Sequence, residues 1–192
     1  MLRILLIRPG ATAFDEQGRI KGSLSIPLSE NGIRQVETTV DDLKDEPVKV
    51  IYAAPCIAAQ QTAELLSEQI ESKVKKVDKL RNLDRGLWHG KLVEELLATH
   101  PKLYKQWQED PESVCPPGGE AYADAKERIE KCLKRIIRKH SDDETIAIVA
   151  AEPVATLIQV ILGNELDRDM LQRECQCGIW NQISVAVAEI AG

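Results

Sequence analysis

The sequence lacks the features that mark membrane-spanning, secreted and disulfide-stapled proteins. It contains no apolar run near the roughly 18 residues that a membrane-spanning helix needs. Its opening apolar run, residues 2–8, is too short for a signal peptide, and no small-residue cleavage site follows it. Its five cysteines are an odd number without the spacing of a disulfide framework. We therefore expect a protein of the reducing cytoplasm that does not bind membranes.

The sequence also lacks positive net charge, internal repeats and linker-like segments. The formal net charge is -6, so the surface as a whole repels nucleic acid, and we expect no nucleic-acid partner. The composition, with 43% hydrophobic and 29% charged residues, is that of an ordinary folded chain. These features predict a single domain over residues 1–192.

Short apolar runs alternate with helical patterns along the chain. The apolar runs predict strands at Leu2–Arg8, Val48–Ala53, Val74–Leu80, Thr145–Ala151 and Ile183–Ile190. Helices are predicted from Ser29 to Leu43, Pro55 to Ile70, Tyr122 to His140 and Pro153 to Leu162, and within Leu92–Gln108 with a break at Pro101. Residues 9–28, 81–91 and 109–120 are predicted to be loops. This alternation predicts an α/β fold, a three-layer α/β/α sandwich with a mostly parallel central sheet.

In such a sheet the functional crevice lies at the carboxyl ends of the parallel strands. Three segments lie at the carboxyl ends of predicted strands, and a fourth is a long loop. They are Arg8–Pro9, Ala53–Pro55, Ala150–Glu152 and residues 81–91. We expect these segments to meet and to form the site.

These crevice segments belong to five blocks of sequence. The blocks are Leu6–Thr12 with Gly18–Gly22 and Pro27–Gly32, Ile51–Pro55 with Gln61–Glu64, Leu80–Asn82 with Gly86–Lys91, Pro116–Glu120, and Thr145–Ile158. In order and spacing the blocks resemble the histidine phosphatase superfamily, the phosphoglycerate mutase-like proteins. The resemblance runs from residue 2 to about residue 190 and implies a phosphoglycerate mutase-like fold.

The resemblance also implies a mechanism. In that superfamily a histidine attacks a phosphate ester and becomes phosphorylated, while a second histidine and two arginines hold the phosphoryl oxygens. A carboxylic acid protonates the leaving oxygen. The site is thus a nucleophile, an anion clamp and a general acid.

Most of these roles fall on unsuitable residues in this chain. The first clamp arginine matches Arg8, but the nucleophile, second clamp arginine, general acid and second histidine fall on Pro9, Ala58, Asn82 and Ala151. Proline has no nucleophilic atom. Loss of a nucleophile in a comparable enzyme lowers turnover on the order of 10⁶-fold. The resemblance therefore implies a catalytically inactive member, a pseudophosphatase with a binding or regulatory role.

Two other functions stay open. One is an active phosphatase or mutase that acts on a small phosphate ester through relocated catalytic residues. Its candidates are His89, otherwise an exposed loop residue beside Trp88, and Cys56, which is either a stabilised thiolate at a helix N-terminus or a small packing residue. The other function is a structural, oligomer-forming domain. His100 and His140 are interpreted as structural or solvated residues.

Basic residues of the crevice are the candidate binding residues. Arg8 either contacts an anion or forms an ion pair with Asp15, Asp84 or Glu152. Lys21 and Arg85 either join Arg8 in a phosphate-binding patch or are solvated loop charges. A phosphorylated or carboxylated small molecule is the expected ligand, and a protein partner or homodimer stays open. We expect no cofactor and no metal, because Cys175 and Cys177 alone are too few for a zinc site.

Overall fold

The computed structural model of the chain describes residues 1–110, 113–163 and 177–191. Five strands form one sheet in the order β3-β2-β4-β1-β5. They are β1 (Leu2–Ile7), β2 (Val48–Ala53), β3 (Lys73–Lys76), β4 (Thr145–Val149) and β5 (Trp180–Val185). The first four are parallel, and β5 runs antiparallel to β1. The predicted mostly parallel sheet is therefore confirmed.

The described part of the chain forms the following helices. They are α1 (Ala13–Glu16), α2 (Glu30–Leu43), α3 (Ile57–Ile70), α4 (Val93–Thr99), α5 (Pro101–Glu109), α6 (Tyr122–Ile137), α7 (Val154–Ile161) and a last short helix over Val187–Ala191. Helix α2 packs against α3, while α6 packs against α7 and the last helix. The main core lies between these helices and the sheet, as the predicted α/β/α sandwich requires.

The central strands and the first long helix form for the reasons that the sequence indicated. Strand β4 is buried along its whole length, as expected for a parallel strand covered on both faces. Helix α2 begins after Ser29, whose hydroxyl accepts a hydrogen bond from the Gly32 N–H. Val36 and Leu43 of this helix are buried, whereas Ile33, three residues before Val36, is exposed.

Two strand predictions were wrong at their ends. The third strand was predicted to reach Leu80, but β3 stops at Lys76 because β2 ends at Ala53, whose carbonyl accepts the last ladder hydrogen bond from Val77. A 3₁₀ turn then buries Leu80. The last strand, predicted over Ile183–Ile190, is shifted toward the N-terminus. It ends at Val185, and a helix begins at Val187, whose N–H donates to Asp142 Oδ1.

Two predicted loops contain short helical turns. Within residues 9–28, Thr12 and Asp15 form a reciprocal capping box that starts α1 in a segment without apolar periodicity. Within residues 81–91, a 3₁₀ turn spans Gly86–Trp88. Both turns hold loop residues at the carboxyl end of the sheet.

The loop after β1 is fixed by a close contact between two glycines. A Cβ at Gly10 would lie 2.2 Å from the Gly32 carbonyl oxygen, and a Cβ at Gly32 would lie 2.0 Å from the Ala11 carbonyl oxygen. The Ala11 carbonyl also accepts from the Ser29 N–H at 2.8 Å. This contact docks the start of α2 onto the segment that follows β1.

A second, smaller apolar cluster lies apart from the main core. Its buried members are Ile20, Trp88, Leu96, Tyr104 and Val114, with Val93 and Trp107 packed against them. Loops 9–28 and 81–91 thus rest on α4 and α5 as well as on the sheet. In the described part of the chain, no helix has both the length and the apolar character to cross a membrane.

Candidate functional site

The segments predicted to form a crevice meet at the carboxyl end of the sheet. Ala54 N–H donates to the Val149 carbonyl at 2.9 Å, which joins the ends of β2 and β4. Asn82 of the 81–91 loop donates to the Glu152 carbonyl at 2.8 Å. Arg8, directly after β1, contacts the Glu152 side chain. The topological expectation for this crevice is therefore confirmed.

Arg8 lies at the floor of the crevice and is bound by the chain's own side chains. Only 2% of its surface is exposed. Its Nε donates to Glu152 Oε1 at 2.5 Å, its Nη1 to Asn181 Oδ1 at 2.9 Å and its Nη2 to Gln159 Oε1 at 2.9 Å. Of the three carboxylates that the sequence offered as partners, Glu152 is the one that forms the ion pair.

Glu152 is held from its other side as well. Its Oε2 accepts from the Thr156 hydroxyl at 2.7 Å and from the Thr156 N–H at 3.2 Å. Its side chain is 24% exposed. The Glu152 carboxylate thus accepts from three donors, of which the Arg8 guanidinium is one.

Pro9 is buried and contributes a carbonyl to the structure around it. Gly178 N–H donates to the Pro9 carbonyl at 2.9 Å, and Arg8 N–H donates to the Ile179 carbonyl at 2.8 Å. These two bonds extend the antiparallel pairing between β1 and β5. No group at residue 9 can attack phosphorus.

Ala58 and Ala11 occupy tightly packed positions. Ala58 is buried in an apolar cluster with Leu28 and Val36. Ala11 is buried too, and its N–H donates to Gln35 Oε1 at 2.9 Å. The position that the resemblance assigns to the second clamp arginine is therefore occupied by a buried, apolar side chain.

Asn82 joins two parts of the crevice. One is the floor at Arg8 and Glu152, and the other is the wall, which Gly22 and the 81–91 loop form. Its Nδ2 donates to the Gly22 carbonyl at 3.1 Å and to the Glu152 carbonyl at 2.8 Å. Its Oδ1 accepts from the Leu83 N–H at 3.0 Å. The position that the resemblance assigns to the general acid thus holds a neutral amide that joins two loops.

Lys21 and Cys56 lie near Asp15. Lys21 Nζ lies 2.7 Å from both carboxylate oxygens of Asp15, so it forms an ion pair within the crevice loops. Burial raises the pKa of the Cys56 thiol, against the smaller opposing effects of the Ala59 N–H and of Lys21. The environment of Cys56 therefore favours the thiol over the thiolate.

His89 is partly buried and is held by backbone groups, in contrast to the exposed residue that the sequence predicted. Its Nε2 accepts from the N–H groups of Ser23 and Arg85, each at 3.2 Å. Asp84 Oδ1 lies 3.7 Å from the same nitrogen. Gly22 makes this packing possible, because a Cβ there would lie 2.4 Å from His89 Nε2.

Arg85 lies on the wall of the crevice beside the smaller apolar cluster. Only 7% of its surface is exposed. Its guanidinium carbon lies 5.1 Å from the centroid of the Trp107 ring. Desolvation lowers the pKa of Arg85 to about 10, and the nearby Cys115 opposes this shift. The group still carries its charge at neutral pH.

The other titratable candidates lie elsewhere. His100 is exposed between α4 and α5. His140 lies at the opposite end of the sheet with its side chain 5% exposed, and its Nδ1 donates to Glu144 Oε2 at 2.6 Å. Cys177 is half-buried, whereas Cys175 lies outside the described residues. Within the described ranges, no cluster of three or more His, Cys, Asp or Glu residues is arranged to hold a metal.

Sequence reasoning missed four residues of this site. Asn181 and Gln159 bind Arg8, Thr156 binds Glu152, and Trp107 faces Arg85. Gln159 carried a signal, because it is the one amide within an almost wholly apolar helix. Asn181 carried none, since the last strand had been placed too far along the chain.

Comparison with known proteins agrees with this architecture. A relative from Hydrogenobacter thermophilus, phosphoserine phosphatase 1, is 29% identical over 168 residues, which are 88% of this chain and 80% of that protein. The bifunctional protein Rv2228c of Mycobacterium tuberculosis is 29% identical over 161 residues, and the chain spans only 44% of its length.

Solved structures show the same fold. YhfR of Bacillus stearothermophilus aligns with a TM-score of 0.85 at 22% identity, covering 96% of this chain and 92% of that one. Mycobacterial glucosyl-3-phosphoglycerate phosphatase Rv2419c aligns with a TM-score of 0.84 at 24% identity, covering 95% and 90%. The family model for branch 1 of the histidine phosphatase superfamily matches residues 4–186, and this chain therefore belongs to that superfamily.

Proposed function

We propose that this chain is a catalytically inactive histidine phosphatase, a pseudophosphatase with a binding or regulatory role. The observation that carries the proposal is Pro9. It directly follows Arg8 at the end of β1, where the superfamily resemblance places the nucleophilic histidine, and it offers no nucleophilic atom. A phosphorylated enzyme intermediate cannot form at that residue.

The ion pair on the crevice floor supports the same proposal. The superfamily mechanism needs arginine donors that are open to the transferred phosphoryl group. Here Arg8 already binds Glu152, Asn181 and Gln159. The superfamily has its second histidine in a Ser-His-Gly turn, and the resemblance places that histidine at Ala151. Glu152 therefore stands where the turn has its glycine, and its carboxylate is an addition to the crevice. A phosphate dianion would have to displace or repel this carboxylate.

The competing hypothesis is relocated catalysis, which the named phosphatases among the relatives favour. The contacts of its two candidate nucleophiles weigh against it. The Nε2 lone pair of His89 accepts backbone hydrogen bonds. Burial keeps Cys56 as a thiol. Neither residue has the activated lone pair that covalent catalysis requires.

Turnover of phosphate esters tests the proposal. We expect the wild-type chain to release no phosphate above background from phosphoserine or from an aryl phosphate. The matched variants are His89→Ala and Cys56→Ala, which remove the two candidate nucleophiles. Wild-type activity that disappears in either variant would establish relocated catalysis and overturn the proposal.

A second experiment restores the superfamily's catalytic side chains and tests whether the backbone of the site still supports turnover. The variant carries Pro9→His, Ala58→Arg, Asn82→Glu and Ala151→His, with and without Glu152→Gly. We expect turnover only when Glu152→Gly is included, because the Glu152 carboxylate otherwise occupies Arg8. The arginine at residue 58 must also find space beside Leu28 and Val36, so the folded state of each variant is checked by thermal melting.

A cytoplasmic location is part of the proposal and is supported by the free thiols of Cys56, Cys115 and Cys132. A phosphorylated or carboxylated small molecule is proposed as the ligand. A protein partner and a homodimer remain predictions from the sequence.

A further inference from the structure

Three basic residues were candidates for binding an anionic ligand, and they differ in whether a carboxylate of the chain pairs with them. Arg8 forms an ion pair with Glu152, and Lys21 forms one with Asp15. Arg85 differs from both. Within residues 1–110, 113–163 and 177–191, no carboxylate pairs with Arg85 and no oxygen accepts a hydrogen bond from its guanidinium. Arg85 is thus the candidate whose charge the described residues leave uncompensated.

The surroundings of Arg85 hold the side chain in place without using its donors. Trp107 lies against the guanidinium at 5.1 Å. The aliphatic stem packs against Gly22, where a Cβ would lie 2.9 Å from Arg85 Cγ. The backbone N–H of Arg85 donates to His89 Nε2. The side chain is therefore fixed by packing, while its five N–H donors have no acceptor among the described residues.

A buried charge without hydrogen-bond partners is costly, so proteins seldom keep one without use. Stacking on an indole recovers only part of the cost, because a cation–π contact leaves the in-plane donors unsatisfied. The planar fork of a guanidinium matches a carboxylate or a phosphate, each of which offers two acceptor oxygens side by side.

The position of Arg85 connects it with the crevice. Its stem touches Gly22, whose carbonyl accepts from Asn82, and Asn82 in turn donates to the Glu152 carbonyl. Arg85 thus stands on the wall at the side of the position where the superfamily has its general acid, away from the occupied floor at Arg8.

We propose that Arg85, backed by Trp107, is the anion-binding residue of this chain, and that it binds the phosphate or carboxylate group of a small molecule at the wall of the crevice. This inference rests on the proposed function, since it names the ligand class for a crevice that binds without turnover. It moves the anion site from Arg8 to Arg85.

Titration calorimetry with phenyl phosphate, inorganic phosphate and benzoate at constant ionic strength tests the inference. We expect saturable binding of at least one of these anions by the wild-type chain. Arg85→Met, which keeps the packing of the stem and removes the donors, should weaken that binding about tenfold or more. Arg85→Lys, which keeps the charge and removes the fork, should bind with intermediate affinity.

Arg81→Met is the matched control. Arg81 belongs to the same loop but pairs with Glu120 and is largely exposed, so its variant should bind like wild type. Thermal melting checks that each variant folds. If Arg85→Met does not fold, a crystal structure of the wild-type chain with phenyl phosphate gives the answer instead. It should show the anion on Arg85.

Each contrary outcome is distinct. The inference is overturned if the wild-type chain binds none of the three anions, if Arg85→Met binds as tightly as wild type, or if the crystal places the anion on Arg8. Release of phenol from phenyl phosphate is measured in the same samples. Phenol release would overturn the proposed function and leave the site at Arg85 standing, whereas absence of binding would do the reverse.

Discussion

The floor and the wall of the crevice each hold a buried arginine, and the two arginines differ in whether a carboxylate pairs with them. On the floor, Arg8 donates to Glu152, Asn181 and Gln159. On the wall, Arg85 has the ring of Trp107 against it and no carboxylate among the described residues. Similar burial therefore accompanies a neutralised charge at one site and an uncompensated charge at the other.

The contrast teaches how a catalytic crevice can change its use. A bound phosphate normally stabilises the arginine that clamps it. When an internal carboxylate takes that role, the arginine becomes part of the folded frame and no longer depends on ligand. An arginine on the wall that lacks such a partner keeps the capacity to bind. The two regions are thus expected to respond to substitution in opposite ways.

The largest effect is expected on the floor. Arg8→Met leaves the Glu152 carboxylate without its guanidinium, and the free energy of unfolding should fall by about 3 kcal/mol. Urea denaturation measures the change. The double variant Arg8→Met with Glu152→Gln should recover most of this loss, because no uncompensated charge remains. An equal loss in both variants would show that packing, not the ion pair, is responsible.

The next effect concerns Asn82, which joins the two regions. Asn82→Ala leaves the carbonyls of Gly22 and Glu152 without their donor and should lower the free energy of unfolding by about 2 kcal/mol. Asn82→Asp is the matched control. At neutral pH it should destabilise at least as much, since a carboxylate cannot donate to those carbonyls. A fully stable aspartate variant would contradict the bridging role.

A smaller effect is expected on the wall. Arg85→Met removes a buried charge that has no ion-pair partner among the described residues, and it gives up only the contact with Trp107. The free energy of unfolding should stay within about 1 kcal/mol of wild type or rise. Denaturation in ligand-free buffer measures this. A loss as large as that of Arg8→Met would erase the distinction between floor and wall.

The smallest effect is expected at the opposite end of the sheet and provides a reference for both regions. Hydrogen bonds from Lys49 and then His140 lower the pKa of Glu144 to about 2, from an ordinary value of 4.5. Because the folded-state pKa is lowered, the stability contributed by Glu144 is fully present above pH 4.5. It is lost as the pH falls from 4.5 toward 2. Melting temperatures across this range should fall less steeply in Glu144→Gln, and an unchanged slope would contradict the assignment.

Much of the fold could be predicted because strands buried on both faces read as apolar runs. Strand β2 was predicted with its observed bounds, and β1 and β4 nearly so. The end of β3 could not be read from Val77 and Leu80, since it depends on where β2 stops. The last strand was misplaced because Val187 and Ile190 continue the apolar pattern into a helix.

The site could be predicted as a place but not as a set of contacts. The rule for parallel sheets located the crevice, because it depends only on strand order. The partner of Arg8 stayed open among Asp15, Asp84 and Glu152, since the choice depends on how loops pack in three dimensions. The partner of Arg85 was invisible because Trp107 lies on a separate helix, brought near by the smaller apolar cluster.

One feature of Pro9 has a use in protein engineering. The pairing beside it takes the N–H of Arg8 and the carbonyl of Pro9, and the native fold therefore makes no demand for an amide hydrogen at residue 9. Side-chain identity at this position is uncoupled from the sheet ladder. Any other residue placed there adds a buried N–H that the ladder does not pair, so a panel of substitutions at residue 9 needs a stability measurement beside each assay of reactivity.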